Sequence, residues 1–229
     1  RRSEVGHAVA ISSIDVYQHA VEAGMGDGSG TMRLPRQPIS VGEDASLRDG
    51  PYPGGSASHD NAAAEEELHE AGWMTVLRPG AIYGPFPNCR ERYFIQLIEQ
   101  GVRELKLPAG GQQIFHRVAV DRVASAITSA LTNAPEGFWA CNVVDPYDWT
   151  FAGLAAEVGS HMNWQWEPVD VPFADADHPW AAAHPLFCSD RRLRDILHVG
   201  VNVPDPRRAL HATLDWLWEH RNELQAFPT

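Results

Sequence analysis

The sequence predicts an α/β fold: a largely parallel sheet layered with helices, followed by a smaller lobe from about residue 150. Three observations predict it. Short apolar runs (HAVAISS at 7–13, WMTVL at 73–77, FWACNVV at 138–144) alternate with stretches of helical period. The clearest of those stretches puts Val120, Val123, Ala124, Ile127 and Leu131 on one stripe. The breaks between elements carry residues that cap helices or turn the chain.

Each element follows from its residues. His7–Ser13 is a small apolar run ending in polar residues, hence a short buried strand. Residues 18–56 (GMGDGSG, RLPRQP, RDGPYPGG) are rich in Gly, Pro, Asp and Ser and are expected to be irregular. A segment of that length inside a domain suggests a functional loop; a linker or targeting stretch is the other reading. Asp60–Ala71 is helical, favoured by its alanines and Leu68 and closed by Gly72. Trp73–Leu77 is a strand running into the Pro/Gly turn RPGAIYGP. Arg92–Gln100 is a helix with Phe94, Leu97 and Ile98 on one face, ended by Gly101.

The 120–131 helix and the 138–144 strand come next. Thr150 caps a helix with the apolar face Phe151, Leu154, Ala155 and Val158. Trp164–Val171 reads as a strand with Trp164 and Trp166 on one side, where buried indole N–H groups need acceptors. Asp190 caps a short helix through Leu197, and Asp205 with Pro206 starts the last helix, which buries Leu210, Leu214 and Leu217. No internal repeat, low-complexity tract or heptad occurs. The expected division is 1–149 and 150–229.

Composition sets the broad class. The 229 residues are 44% hydrophobic and 21% charged, as in an ordinary globular domain. A net charge of −12 argues against nucleic acid or an anionic membrane as the main partner, though not against a local basic pocket. Cys89, Cys141 and Cys188 are odd in number and form no C-x-x-C pair, so neither a disulfide framework nor a zinc site is expected. His178 and His184 have no helical i,i+4 partner, and no metal is expected there. A cytoplasmic setting is the expectation. No apolar run approaches the roughly 20 residues of a membrane helix.

Three patterns then fall in a telling order: AISSIDVYQ, LRPGAIYGP, and FHRVAVDRVASAI followed by FWACNVVDPYDWT. Together with the closing LHVGVNVPDPRRALHATLDWLWEH, this resembles the extended short-chain dehydrogenase/reductase family, the NAD-dependent epimerase/dehydratases. The likeness covers nearly the whole chain, and LRPGAIYGP is its most specific piece. It implies the C-terminal part of a Rossmann-type doubly wound parallel sheet plus a small α/β substrate lobe. The family's opening strand, G-x-x-G-x-x-G turn and helix are not in the sequence. Gly24–Gly30 follows SSIDVY and is not that turn. With no Met at the start, the expectation is a piece of a longer protein that by itself binds dinucleotide poorly.

The resemblance implies NAD or NADP as cofactor and a small hydroxylated, sugar-like substrate. It also implies homodimers through the helix corresponding to Asp60–Ala71. In the family a tyrosine phenolate takes a hydroxyl proton, a lysine four residues on favours the phenolate and holds the ribose, and a serine bonds the reacting oxygen. Ser13 matches that serine, with a backbone-capping role as the other reading. Tyr17 reads as structural.

The lysine position is held by Asn61, which has no charge to depress a phenol pKa. The only lysine, Lys106, lies elsewhere in the pattern. The four-residue spacing puts Ala57 where the tyrosine belongs; the nearest phenol is Tyr52, and His59 is a substitute base or an exposed helix-start histidine. By resemblance Ser12, Pro79, Gly80, Ala81 and Ile82 face the nicotinamide. Arg117 faces a substrate phosphate or sugar, a surface salt bridge being its other reading; Arg90 and Arg92 are weaker candidates, with a solvated helix start as their other reading. Arg122 stands where the family has a second acidic residue. Two readings stay open: an NAD(P)-dependent epimerase, dehydratase or reductase, and a catalytically degenerate binding or regulatory protein on the same fold.

Overall fold

The computed structural model describes residues 7–18, 40–51, 60–72, 74–176, 178–180, 185–200 and 205–224. Its strands are β1 (Ala8–Ile11), β2 (Ser40–Val41), β3 (Met74–Pro79), β4 (Ala81–Tyr83), β5 (Glu104–Lys106), β6 (Arg117–Ala119), β7 (Trp139–Val143), β8 (Glu167–Val169) and β9 (Phe187–Cys188). The helices are α1 (Asn61–Ala71), α2 (Arg92–Glu99), α3 (Val120–Asn133), α4 (Phe151–His161), α5 (Arg191–Asp195) and α6 (Pro206–His220).

The central sheet has the order β1-β3-β7, all parallel, with Ile11 opposite Leu77 and Leu77 opposite Cys141. Side chains alternate across it, so the two faces of β3 can be told apart. Leu77, with Cys141 and Val143, packs on Val123, Ala126 and Ala130 of α3. Arg78 points the other way and meets Glu65 of α1. Burying such a stripe stabilises by roughly 1.5–3 kcal/mol per large side chain. The parallel pairs β2-β9, β4-β6 and β5-β8 complete the sheet structure. A second core joins Phe94, Ile95 and Ile98 of α2 to Phe151, Leu154 and Val158 of α4 and Leu210, Leu214 and Leu217 of α6.

The expected caps at Thr150, Asp205 and Gly72 form, and Asp60, expected as the first helical residue, is the N-cap of α1. Asp60 accepts from Ala63 N at 3.2 Å, Thr150 from Gly153 N at 3.1 Å and Asp205 from Arg207 N at 2.9 Å, while Gly72 closes α1 at φ 75°. Asp190 does not cap α5; its carboxylate instead takes Arg194 at 3.0 Å and Arg122 at 3.5 Å. The 164–171 strand shrinks to Glu167–Val169. Trp166 donates to the Ala155 carbonyl at 2.9 Å, while the Trp164 indole N–H has no acceptor.

The irregular stretch 18–56 holds structure that composition conceals: β2 pairs with β9, and Leu47 bridges Tyr17. RPGAIYGP is likewise more than a turn. Pro79 ends the ladder with β7, and Ala81–Tyr83 starts a new one with β6. Gly80 is the hinge between the two, since a Cβ there would lie 2.4 Å from the His116 carbonyl oxygen.

Candidate functional site

The carboxyl ends of β1, β3 and β7 come together, which is where open parallel sheets receive ligands. Ser12 N–H donates to the Leu77 carbonyl at 2.7 Å and ties the end of β1 to β3. Its Oγ is buried without a hydrogen-bond partner. Ser13 caps the 3-10 turn Ile14–Val16, its Oγ accepting from Asp15 N–H at 3.2 Å. Gly80 N–H donates to the Val143 carbonyl and Ala81 N–H to the His116 carbonyl, each at 3.0 Å. Pro79–Ile82 therefore forms a backbone shelf between two ladders, beside the end of β7.

Asn61 opens α1, and its Nδ2 donates to Asp15 Oδ1 at 3.3 Å. Arg48, itself buried, donates from Nε to the Asp15 carbonyl at 3.2 Å and reaches the α1 cap, Asp60, at 3.1 Å. Ser13, Asp15, Asn61 and Arg48 thus form one cluster. Sequence reasoning missed Asp15 and Arg48. The signal for Asp15 lay inside SSIDVY, as the titratable residue sharing a turn with Ser13; Arg48 had none. Tyr52 and His59 lie outside the described residues.

Both tyrosines of the strand-end motifs are committed to internal bonds. Tyr17 donates to Asn142 Oδ1 at 2.6 Å and accepts from Arg78 at 2.9 Å. Arg78 also forks onto Glu65, its Nη2 at 2.6 Å, as buried guanidinium–carboxylate pairs do. Tyr83 donates to Asp145 Oδ2 at 2.7 Å. Burial pushes both phenols far above their ordinary range, for Tyr83 with help from the Asp145 charge. Burial also raises Asp145 from 3.8 to about 6, the Tyr83 hydrogen bond acting against it.

Arg117 makes the ion pairs that were its other reading. It is 2% exposed, holds Asp148 at 2.7 Å and Glu91 at 2.9 Å, and its guanidinium carbon lies 5.0 Å from the Tyr83 ring centre and 5.2 Å from that of Trp149. Those two carboxylates do for it what a substrate phosphate would. Arg90 bonds the Pro179 carbonyl at 2.8 Å, its guanidinium 4.2 Å from the Phe115 ring centre.

No family model and no curated protein matches the chain. Solved structures do match. RMD from Pseudomonas aeruginosa, complexed with NADPH, is similar at 18% identity and TM-score 0.66, over 95% of this chain and 68% of that one. DesIV, a dTDP-glucose 4,6-dehydratase from Streptomyces venezuelae solved with NAD, is similar at 17% and 0.68, over 98% and 63%. A UDP-glucose 4-epimerase from Thermotoga maritima, with UDP-glucose, is similar at 14% and 0.68, over 96% and 66%.

The chain therefore has a Rossmann-type α/β fold with parallel strands. More narrowly, its fold is similar to that of these three solved proteins, and it spans about 63–68% of their length.

Proposed function

We propose that the chain is the substrate-side part of an NAD(P)-dependent oxidoreductase of the epimerase/dehydratase type. Its substrate is a small hydroxylated, sugar-like molecule, and its chemistry is hydride transfer. The observation that carries this reading is the Ser13 hydroxyl on the turn after β1, at the same end of the parallel sheet as the Pro79 end of β3. The neighbours solved with NAD or NADPH support it. The orphan Ser12 Oγ suits a hydrogen-bonding ligand at the strand ends. Ser12 and the Pro79–Ile82 backbone would hold the nicotinamide end, which when bound accepts or returns the hydride. No glycine-rich turn in this sequence suits the pyrophosphate, so that part of the fit is absent here.

A second reading has its own observation. Asn61 stands at the lysine position, and both strand-end phenols are locked into internal bonds. That pattern suits a catalytically degenerate protein that binds a dinucleotide without turnover. The two readings separate in one experiment on the full natural chain: calorimetric titration with NAD(H) and NADP(H), then nicotinamide absorbance with UDP- and dTDP-sugars. Binding with turnover supports the enzyme, and binding without turnover the degenerate protein. No binding of either cofactor overturns both.

A further inference from the structure

A buried guanidinium is costly without an anion beside it, so a protein that buries one normally supplies a carboxylate. This chain does so at Arg48, with Asp60 at 3.1 Å, and at Arg78, with Glu65 at 2.6 Å. It does so again at Arg117, with Asp148 and Glu91, and at Arg122, with Asp190 at 3.5 Å. Arg92 is the exception. It is 7% exposed, yet among the described residues its side chain makes no hydrogen bond, ion pair or ring contact.

Its surroundings give that exception a meaning. Arg92 opens α2, but it is not a solvated helix start. It lines a cleft of about 230 Å³ between α2 and the 3-10 turn Arg221–Glu223 that follows α6. Arg92, Ile95, Glu99 and the C-cap Gln100 stand at i, i+3, i+7 and i+8, one face of the helix, and all four line the cleft. Arg221 and Leu224 line it from the other side. The Arg221 guanidinium is 3.6 Å from the Glu99 carboxylate, too long for a hydrogen bond, and 4.4 Å from the Trp218 ring centre.

The lining selects the ligand. Two guanidinium groups against one carboxylate leave the cleft positive, in a chain whose net charge is −12. A planar guanidinium matches a carboxylate in a two-point fork. Glu99 counts against the second charge of a phosphate dianion. The volume lies below the roughly 300–1,000 Å³ of sites for drug-sized ligands, so a nucleotide is too large and an acid of a few carbons is not. We propose that this cleft binds a small organic acid, its carboxylate on Arg92, with Arg221 as the second cation and Ile95 and Leu224 against its carbon body. A bound acid ties α2 to the end of α6 and so stabilises the folded chain. None of these residues belongs to the sheet-end cluster, and the site stands whether or not the chain is an oxidoreductase.

The test is thermal unfolding of the full natural chain with acetate, lactate, succinate or benzoate, beside chloride at equal ionic strength and inorganic phosphate. Near saturation at least one acid is expected to raise Tm by about 2 °C or more. Arg92→Met is expected to abolish that rise while leaving the ligand-free Tm unchanged or higher, because it removes a buried cation that has no partner. Arg191→Gln, at an exposed arginine of α5, leaves the rise intact. Should Arg92→Met fold poorly, Arg92→Lys decides by calorimetric titration. It keeps the charge, loses the fork, and is expected to weaken binding roughly tenfold.

If no acid raises Tm beyond chloride, or if the Arg92 variants retain the full effect, the site is overturned. Phosphate binding more tightly than every acid overturns the carboxylate as its ligand.

Discussion

Two polar regions sit near the carboxyl ends of the strands, and they are built in opposite ways. Around Arg117, a buried guanidinium meets two buried carboxylates at 2.7 and 2.9 Å, with two aromatic rings beside it. Around Ser13, the Asp15 backbone bonds the Ser13 hydroxyl and the Arg48 guanidinium, the Asp15 carboxylate bonds the Asn61 amide and Arg48 pairs with Asp60, beside the orphan hydroxyl of Ser12. The difference separates architecture from chemistry. Charges closed on one another at short range are hard to open, because each partner is left buried and unpaired. The Ser12 hydroxyl, by contrast, still has a hydrogen bond to offer a ligand.

The comparison breaks most sharply at Arg117. Arg117→Met leaves Glu91 and Asp148 buried without their cation and is expected to lower unfolding stability by about 3–5 kcal/mol. Urea denaturation checks this; a loss below about 1 kcal/mol would return Arg117 to the ligand side. Glu65→Ala strands Arg78 in the same way, with a loss of about 3 kcal/mol.

Acid sharpens the comparison within the closed network. Asp145 is raised from 3.8 to about 6, so its protonated form favours the folded state. Its contribution is complete below the unfolded value and lost as pH rises through about 6. His178, lowered by burial from 6.5 to about 4, works the other way: its contribution is present above 6.5 and is lost as pH falls toward 4. The two offset each other across that window. Asp145→Asn removes one side, so its Tm is expected to fall more steeply than that of wild type between about pH 6.5 and 4.5. Parallel Tm curves would contradict the assignment. The smallest expected effect lies away from both regions: Thr150→Ala removes the α4 cap and costs about 1 kcal/mol by the same denaturation.

Much of this was legible in the sequence, for reasons that can be named. The α3 helix, the Thr150 and Asp205 caps and the Gly72 terminator are local signals, read within a turn or two of chain, but the face of α3 was misread: Arg122, Val123, Ala126 and Ala130 are buried, while Ala124 and Leu131 of the expected stripe are exposed. β2 and β9 were not legible, because each is two residues long and exists only through pairing across 147 positions. The switch at Gly80 hid for a similar reason: a Pro/Gly turn and a strand exchange read alike until β6 is in place. Ser13 was found by motif. Asp15 was passed over because its partner, Asn61, lies 46 residues away. The resemblance pointed to Arg117 as a substrate arginine, while Glu91 and Asp148, 26 and 31 residues distant, claim its side chain.

The measurement that bears most directly on the account is calorimetric titration of the full natural chain with NAD(H) and NADP(H), beside Ser12→Ala. The account predicts binding of one of them, weakened in Ser12→Ala, which removes the buried hydroxyl that has no internal partner. No binding of either dinucleotide would contradict the account.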